Sequence, residues 1–192
     1  MNLNAFFNAE LDEHKSALAA TREVLGEPFQ RLVGACAEAV RGGGRIVFFG
    51  NGGSAADAQH LAAELSVRYQ RDRVPIAGFA LTTNTSALTA IGNDFGFEDL
   101  FARQIQALCK PDDVVIGIST SGNSANIIKA LREAKKLGAV AAGFGGGDGG
   151  QMLGLADPFL LVPNNNVARV QEMHITLGHM LCGALEQELR LL

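Results

Sequence analysis

His60 and Glu64 stand four residues apart in "SAADAQHLAAELSVRY", on one face of any helix that covers them and about 6 Å apart along its axis. An imidazole and a carboxylate so placed can ligate a metal ion, work as acid and base on one substrate, or form an ordinary surface pair. Near the end of the chain, "RVQEMHITLGHM" supplies Gln171, His174 and His179. Gln171 and His179 are eight residues apart, on roughly the same side of a helix, with backbones about 12 Å apart along the axis. That is too far for easy convergence on one atom. One site could use both if they come from different subunits, or if the helix bends near Gly178. His174 points well away from His179, which predicts a packing or interface role.

Two loops frame these residues. "IVFFGNGGSAADAQ" (46–59) and "VVIGISTSGNSANII" (114–128) each read as apolar strand, small polar loop and helix. In the first, Gly50, Gly52 and Gly53 let backbone approach a ligand closely, while Ser54 followed by Asp57 resembles a helix capping box. In the second, Ser119, Thr120, Ser121 and Ser124 set four hydroxyls around Gly122. Helix starts add unpaired N–H groups and a positive dipole end. The set suits the terminal oxygens of a phosphate monoester. Neither loop carries the lysine that a nucleotide-binding P-loop requires. Gly50, Gly52 and Ala55 formally meet a dinucleotide pattern, yet the next strand ends in "ALTTNTS" (80–86), with no acid for a ribose. Asn93 and Asp94, in "TAIGNDFGFEDLF" (89–101), make a polar spot that is either a turn or a hydrogen-bonding pair for substrate hydroxyls.

The elements that must hold these residues follow from periodicity. Helices are predicted over 3–21 and 27–41, the second stopped by "GGG" (42–44). Strands at 45–49, 76–81, 113–118, 139–144 and 158–162 alternate with helices at 54–68, about 86–92, about 97–108, 124–137 and 167–190. Such alternation predicts an α/β fold with a parallel sheet and helices on both faces. One domain spans 1–192, with an N-terminal helical extension over about 1–43. The last helix is apolar on more than one stripe, so the sheet is expected to cover one side and either the first helix with another subunit, or a two-helix lid within a monomer, the rest.

Bulk properties narrow the class. The chain has 192 residues, enough for one well-buried domain, and 47% of them are hydrophobic. No apolar run approaches the roughly 20 residues of a membrane helix, so no membrane partner is expected. "MNLNAFFNAELDEHK" lacks the basic head and apolar core of a secretion signal. Cys36, Cys109 and Cys182 are odd in number and unpaired by spacing, which predicts buried thiols in a reducing cytoplasm. A net charge of −4 speaks against a nucleic-acid partner.

Taken in order, "GNGGSAADAQHLAAEL", "GNDFGFED", "GISTSGNSANIIKAL", "DGG" and "RVQEMHITLGHML" resemble the phosphoheptose isomerase family of sugar isomerase (SIS) domain proteins across nearly the whole chain. The resemblance implies a flavodoxin-like parallel sheet and a homotetramer whose sites are shared between subunits. It implies conversion of sedoheptulose 7-phosphate to D-glycero-D-manno-heptose 7-phosphate, for nucleotide-heptose and surface glycan synthesis such as lipopolysaccharide. Carried onto this sequence, Ser119, Thr120, Ser121 and Ser124 would hold the phosphate. Asn51, Gly52, Gly53, Asn93, Asp94 and Gln171 would line the sugar site. His60, Glu64, Gln171 and His179 match zinc-binding positions, and Glu64 and His179 match the catalytic pair. A ketose–aldose isomerase of this kind needs no nucleotide cofactor. One departure lies in "NVARVQE", where some members carry a nearby aspartate and this chain has Ala168 before Arg169. A non-enzymatic alternative is the SIS protein that associates with the bacterial replication initiator. It lacks a complete catalytic set, so Glu64 and His179 discriminate against it. A sugar-phosphate sensor attached to a DNA-binding segment finds no room in this chain.

Overall fold

Five parallel strands form one sheet in the order β2-β1-β3-β4-β5, in the computed structural model, which describes residues 1–192. They are β1 (Ile46–Gly50), β2 (Gly78–Ala80), β3 (Val114–Ser119), β4 (Val140–Gly146) and β5 (Phe159–Val162). Helices α1 (Leu3–Val24) and α2 (Gly26–Arg41) precede the sheet. Between strands run α3 (Gly53–Ser66), α4 (Thr85–Asp94), α5 (Ala102–Leu108) and α6 (Ala125–Leu137), and α7 (Val167–Glu188) ends the fold.

Strand residues point alternately to the two faces, and both faces are apolar. Ile46, Phe48, Val114, Ile116 and Phe144 join a core built with α2, α3 and α7. Val47, Phe49, Val115 and Ala141 join a second core under α5 and α6. This is the doubly wound arrangement expected from the alternation of elements. Its chain order reverses between β1 and β3, and ligands of such sheets bind at the carboxyl ends of the strands at that crevice. The glycine loop leaves β1 and the hydroxyl loop leaves β3, so the topology sets both at the crevice.

Two expectations need correction. The segment 97–108 is not one helix: Phe97–Asp99 make a short 3₁₀ turn and α5 starts only at Ala102. Nor does Ser54 cap α3. The helix starts one residue earlier, after Gly52 at φ 56°, and makes no side-chain cap bond, while Ser54 is buried inside it. Gly50 explains the displacement, because a Cβ there would fall 2.7 Å from the Ser54 Cβ, so strand and helix touch across the loop.

Helix α7 packs on α1, α2 and α3 and on strands β4 and β5. Most of its apolar circumference is therefore covered by its own chain. The uncovered apolar stripe belongs to α1, whose Leu3, Phe6, Phe7, Leu11 and Leu18 are exposed.

Candidate active site

The hydroxyl loop is built as a fixed concavity. Ser119, at the end of β3, is buried, and its Oγ lies 3.2 Å from Ser124 Oγ. Ser124 is the N-cap residue of α6 but makes no side-chain cap bond, so its hydroxyl faces Ser119. Asn123 ties the loop to its neighbour: its Nδ2 donates to Ser121 O at 3.0 Å, and its Oδ1 accepts from Gln151 N at 3.1 Å. Beside the loop opens a polar cleft of about 360 Å³, lined by Thr120, Ser121, Asn123, Asp148, Asn164 and Asn165 among others.

The glycine loop is tied to this one by a reciprocal amide pair. Asn51 Nδ2 donates to Asn126 Oδ1, and Asn126 Nδ2 donates to Asn51 Oδ1, each at 2.9 Å. Asn126 is buried, and the sequence reading did not single it out although it stands within the second motif. Its signal is slight: an amide on the inward side of an otherwise apolar helix face. Asn93 and Asp94 end α4, exposed and hydrogen-bonded to one another at 2.8 Å, without a hydrogen bond to either loop.

Helices α3 and α7 lie side by side and run the same way. Gln171 meets Gly53 at the start of α3, where a Cβ would fall 3.0 Å from the Gln171 Nε2. Leu61 presses on Gly178 further along, within 2.6 Å of where a Cβ would be. Gly178 is thus a close-approach position within a helix that continues from Val167 to Glu188. That approach brings His179 to the other pair. His179 Nε2 is 3.1 Å from His60 Nε2, and His60 Nε2 is 3.1 Å from Glu64 Oε1. One ligand atom from each of the three residues lies within 4.8 Å of the others. His60, Glu64 and His179 therefore converge within one chain. Gln171 stays at the other end: eleven residues, roughly 16 Å of helix rise, separate Gly53 from Glu64.

The donor set fits a borderline-soft divalent ion. Tetrahedral zinc with bonds of about 2.0–2.2 Å holds its ligand atoms about 3.3 Å apart, and three protein ligands leave a position open for chemistry. Nearby, burial pushes the Asp57 carboxyl above its usual range, although the charges of His60 and His179 pull it down. His174 faces the sheet instead, fully buried, with Nε2 2.9 Å from Gly145 O, as its predicted packing role requires. Ala168, exposed in the first turn of α7, offers no acidic contact, whereas Arg169 beside it is buried and bonded to Glu172 at 2.7 Å.

The chain is similar to known proteins in sequence and fold. The SIS domain family matches residues 11–146. A phosphoheptose isomerase of Paramagnetospirillum magneticum is 57% identical over 186 residues, 97% of each chain. The solved structure of a phosphoheptose isomerase from Neisseria gonorrhoeae superposes with a TM-score of 0.89 at 40% identity, over 97% of this chain and 100% of that one. One from Francisella tularensis gives a TM-score of 0.93 at 32% identity, with the same coverage.

Proposed function

The chain belongs to the phosphoheptose isomerase family of SIS domain proteins, and from that premise we propose that it converts sedoheptulose 7-phosphate to D-glycero-D-manno-heptose 7-phosphate through an enediol. The observation that carries the reading is the meeting of Glu64 with His179, an acid–base pair drawn from two helices. A replication-initiator-binding role has nothing comparable in its favour.

The reaction needs two protons to move. A carboxylate oxygen of Glu64 takes a proton from C1 of the ketose while His179 delivers one to the C2 carbonyl oxygen, giving the enediol. Glu64 then returns its proton to C2 as the O1 proton leaves to His179, and the aldose forms with both groups restored. Positioned acid–base groups contribute typically about 10²–10⁴-fold. Ser119, Thr120, Ser121 and Ser124 hold the phosphate, with the first-turn N–H groups of α6 facing the same anion. Asn51, Gly52, Gly53, Asn93, Asp94 and Gln171 line the sugar. His60, Glu64 and His179, joined by Gln171 of a second copy, would hold zinc, which would supply Lewis-acid polarisation of a substrate oxygen.

The same reading makes the enzyme a cytoplasmic homotetramer with shared sites, and two features support it. Within one chain, α3 separates the phosphate loop and Gln171 from Glu64 by about three turns, and a second copy that brings one half to the other would complete the site. The exposed apolar stripe of α1 supplies a surface for that copy. No helix is long and apolar enough to cross a membrane.

The test is turnover of sedoheptulose 7-phosphate followed by NMR of the sugar, with Glu64→Gln alongside. Wild type is expected to yield the aldose, and Glu64→Gln to lose about 10²–10⁴-fold in kcat. No aldose from zinc-supplied wild type, or normal turnover by the variant, would sink the assignment.

A further inference from the structure

Behind the cluster lies a layer that the proposed chemistry does not use. Residues 67–77 leave α3 and return to β2 without helix or strand. Within them Arg73 turns inward. Its Nε donates to Glu186 Oε1 at 2.8 Å, Nη1 to Leu65 O at 2.7 Å and Nη2 to Glu64 O at 2.8 Å. Both charged side chains are sealed from solvent, 0% and 2% exposed. A buried ion pair is a poor source of stability, because apolar residues of equal volume often serve as well or better. Its effect here is geometric. It binds the last carbonyls of α3 to α7 two turns beyond His179.

Glu186 Oε1 also accepts from the Tyr69 backbone N–H at 3.3 Å, which hooks residue 69 onto α7. The ring of Tyr69, the single tyrosine of the chain, then lies along that helix. It stacks on His179 with 5.6 Å between centroids and 28° between planes. Gly183, one turn after His179, leaves room for it, since a Cβ there would come within 3.2 Å of Tyr69 Cε1. His60 meets His179 edge-on, with centroids 4.9 Å apart and planes at 65°. The imidazole is thus bracketed by two rings, one of them fixed by a buried ion pair.

The geometry points to Tyr69 as a positioning residue that, anchored through the Arg73–Glu186 pair, holds the His179 imidazole in the rotamer that meets His60 and Glu64. A half-exposed histidine on a helix otherwise samples several rotamers, and each departure breaks up the donor set. Residues that orient metal-binding or catalytic side chains typically matter by about 10–100-fold in affinity or rate. The assignment rests on the acid–base reading of His179, but the stack itself can be read without it.

Three readouts on Tyr69→Ala and Tyr69→Phe separate the two. The first is the NMR position of the carbon-bound His179 ring protons in metal-free protein, which a stacked aromatic ring shifts and which needs neither zinc nor substrate. The second is zinc affinity by competition with a chromophoric chelator. The third is the split between kcat and KM for sedoheptulose 7-phosphate. Tyr69→Ala is expected to keep a cooperative melt, lose the ring-current shift, weaken zinc about 10–100-fold and lower kcat with KM little changed. Tyr69→Phe is expected to restore all three, because the ring face acts and not the hydroxyl. An unchanged ring shift in Tyr69→Ala, or a Tyr69→Phe as impaired as Tyr69→Ala, would overturn the assignment. Wild type without turnover would instead count against the isomerase alone, the ring shift still deciding for or against the stack.

Discussion

His174 and His179 stand five residues apart on α7, and their surroundings give them opposite work. His174 is sealed between α7 and β4, with its Nε2–H donating to Gly145 O and its buried Nδ1 left without a partner. Burial pushes its pKa down from 6.5 to about 4, against a smaller upward pull from the Gly145 hydrogen bond. A proton on Nδ1 would add a buried charge and an N–H with no acceptor. The sign of the linkage follows. Between pH 6.5 and 4 the unfolded chain binds this proton and the folded chain does not, so stability is fully present above the unfolded value and is lost as pH falls. The lowered value corresponds to about 3 kcal/mol across that window. Chemical denaturation at pH 7 and pH 4.5, at one protein concentration, should therefore show a steeper acid loss for wild type than for His174→Gln, whose amide can still reach the carbonyl. Equal slopes would show that His174 is free to protonate in the fold.

At the scale of elements, the hydroxyl loop depends on a turn that follows it by almost thirty residues. Gly122 has φ 64° in that loop, and a Cβ there would sit 2.0 Å from Gly149 O. Gly122→Ala must displace either the loop or the turn and strains the backbone as well, at a cost of about 1–3 kcal/mol. KM for the sugar phosphate should rise at least about tenfold, since misplaced hydroxyls no longer meet the phosphate oxygens together. Gly43→Ala is the internal control, at φ 81° in the turn between α2 and β1, away from both loops and with nothing within 4 Å of the added carbon. Equal effects of the two on KM would deny the loop–turn contact a role. These loops were legible in the sequence because strand, glycine and helix follow each other there without interruption. The Ser54 capping box was misread because the pattern cannot show how closely Gly50 brings β1 to α3. The pairing of His179 with His60 and Glu64 was hidden for a related reason. It depends on two helices far apart in sequence running parallel, with Gly178 against Leu61, and periodicity along one helix carries no information about its neighbour.

At the scale of the whole molecule, the two halves of the proposed site face different problems of assembly. The phosphate loop, Asn51 and Gln171 gather at the carboxyl end of the sheet, while Glu64 and His179 gather about three turns down α3. If each working site takes its phosphate half from one copy and its acid–base half from another, defects in the two halves are separable. Subunits with Ser119, Thr120, Ser121 and Ser124 all replaced by alanine keep an intact Glu64; subunits carrying Glu64→Gln keep an intact loop. Each protein is expected to be nearly inactive alone. Unfolded together and refolded as a random one-to-one mixture, they should form hybrids in which some sites draw both halves from undamaged segments, about a quarter of all sites for a pairwise-shared arrangement. Activity should thus recover to roughly that fraction of wild type, with sizes by light scattering matching the parent oligomer. Separate refolding followed by mixing, without exchange of subunits, should recover none. If refolded mixtures stay as inactive as their parents while retaining the oligomer, each site lies within one chain. The loop and the acid–base pair would then have to close on each other by movement of α3 and α7, and the apolar stripe of α1 would serve assembly without serving catalysis.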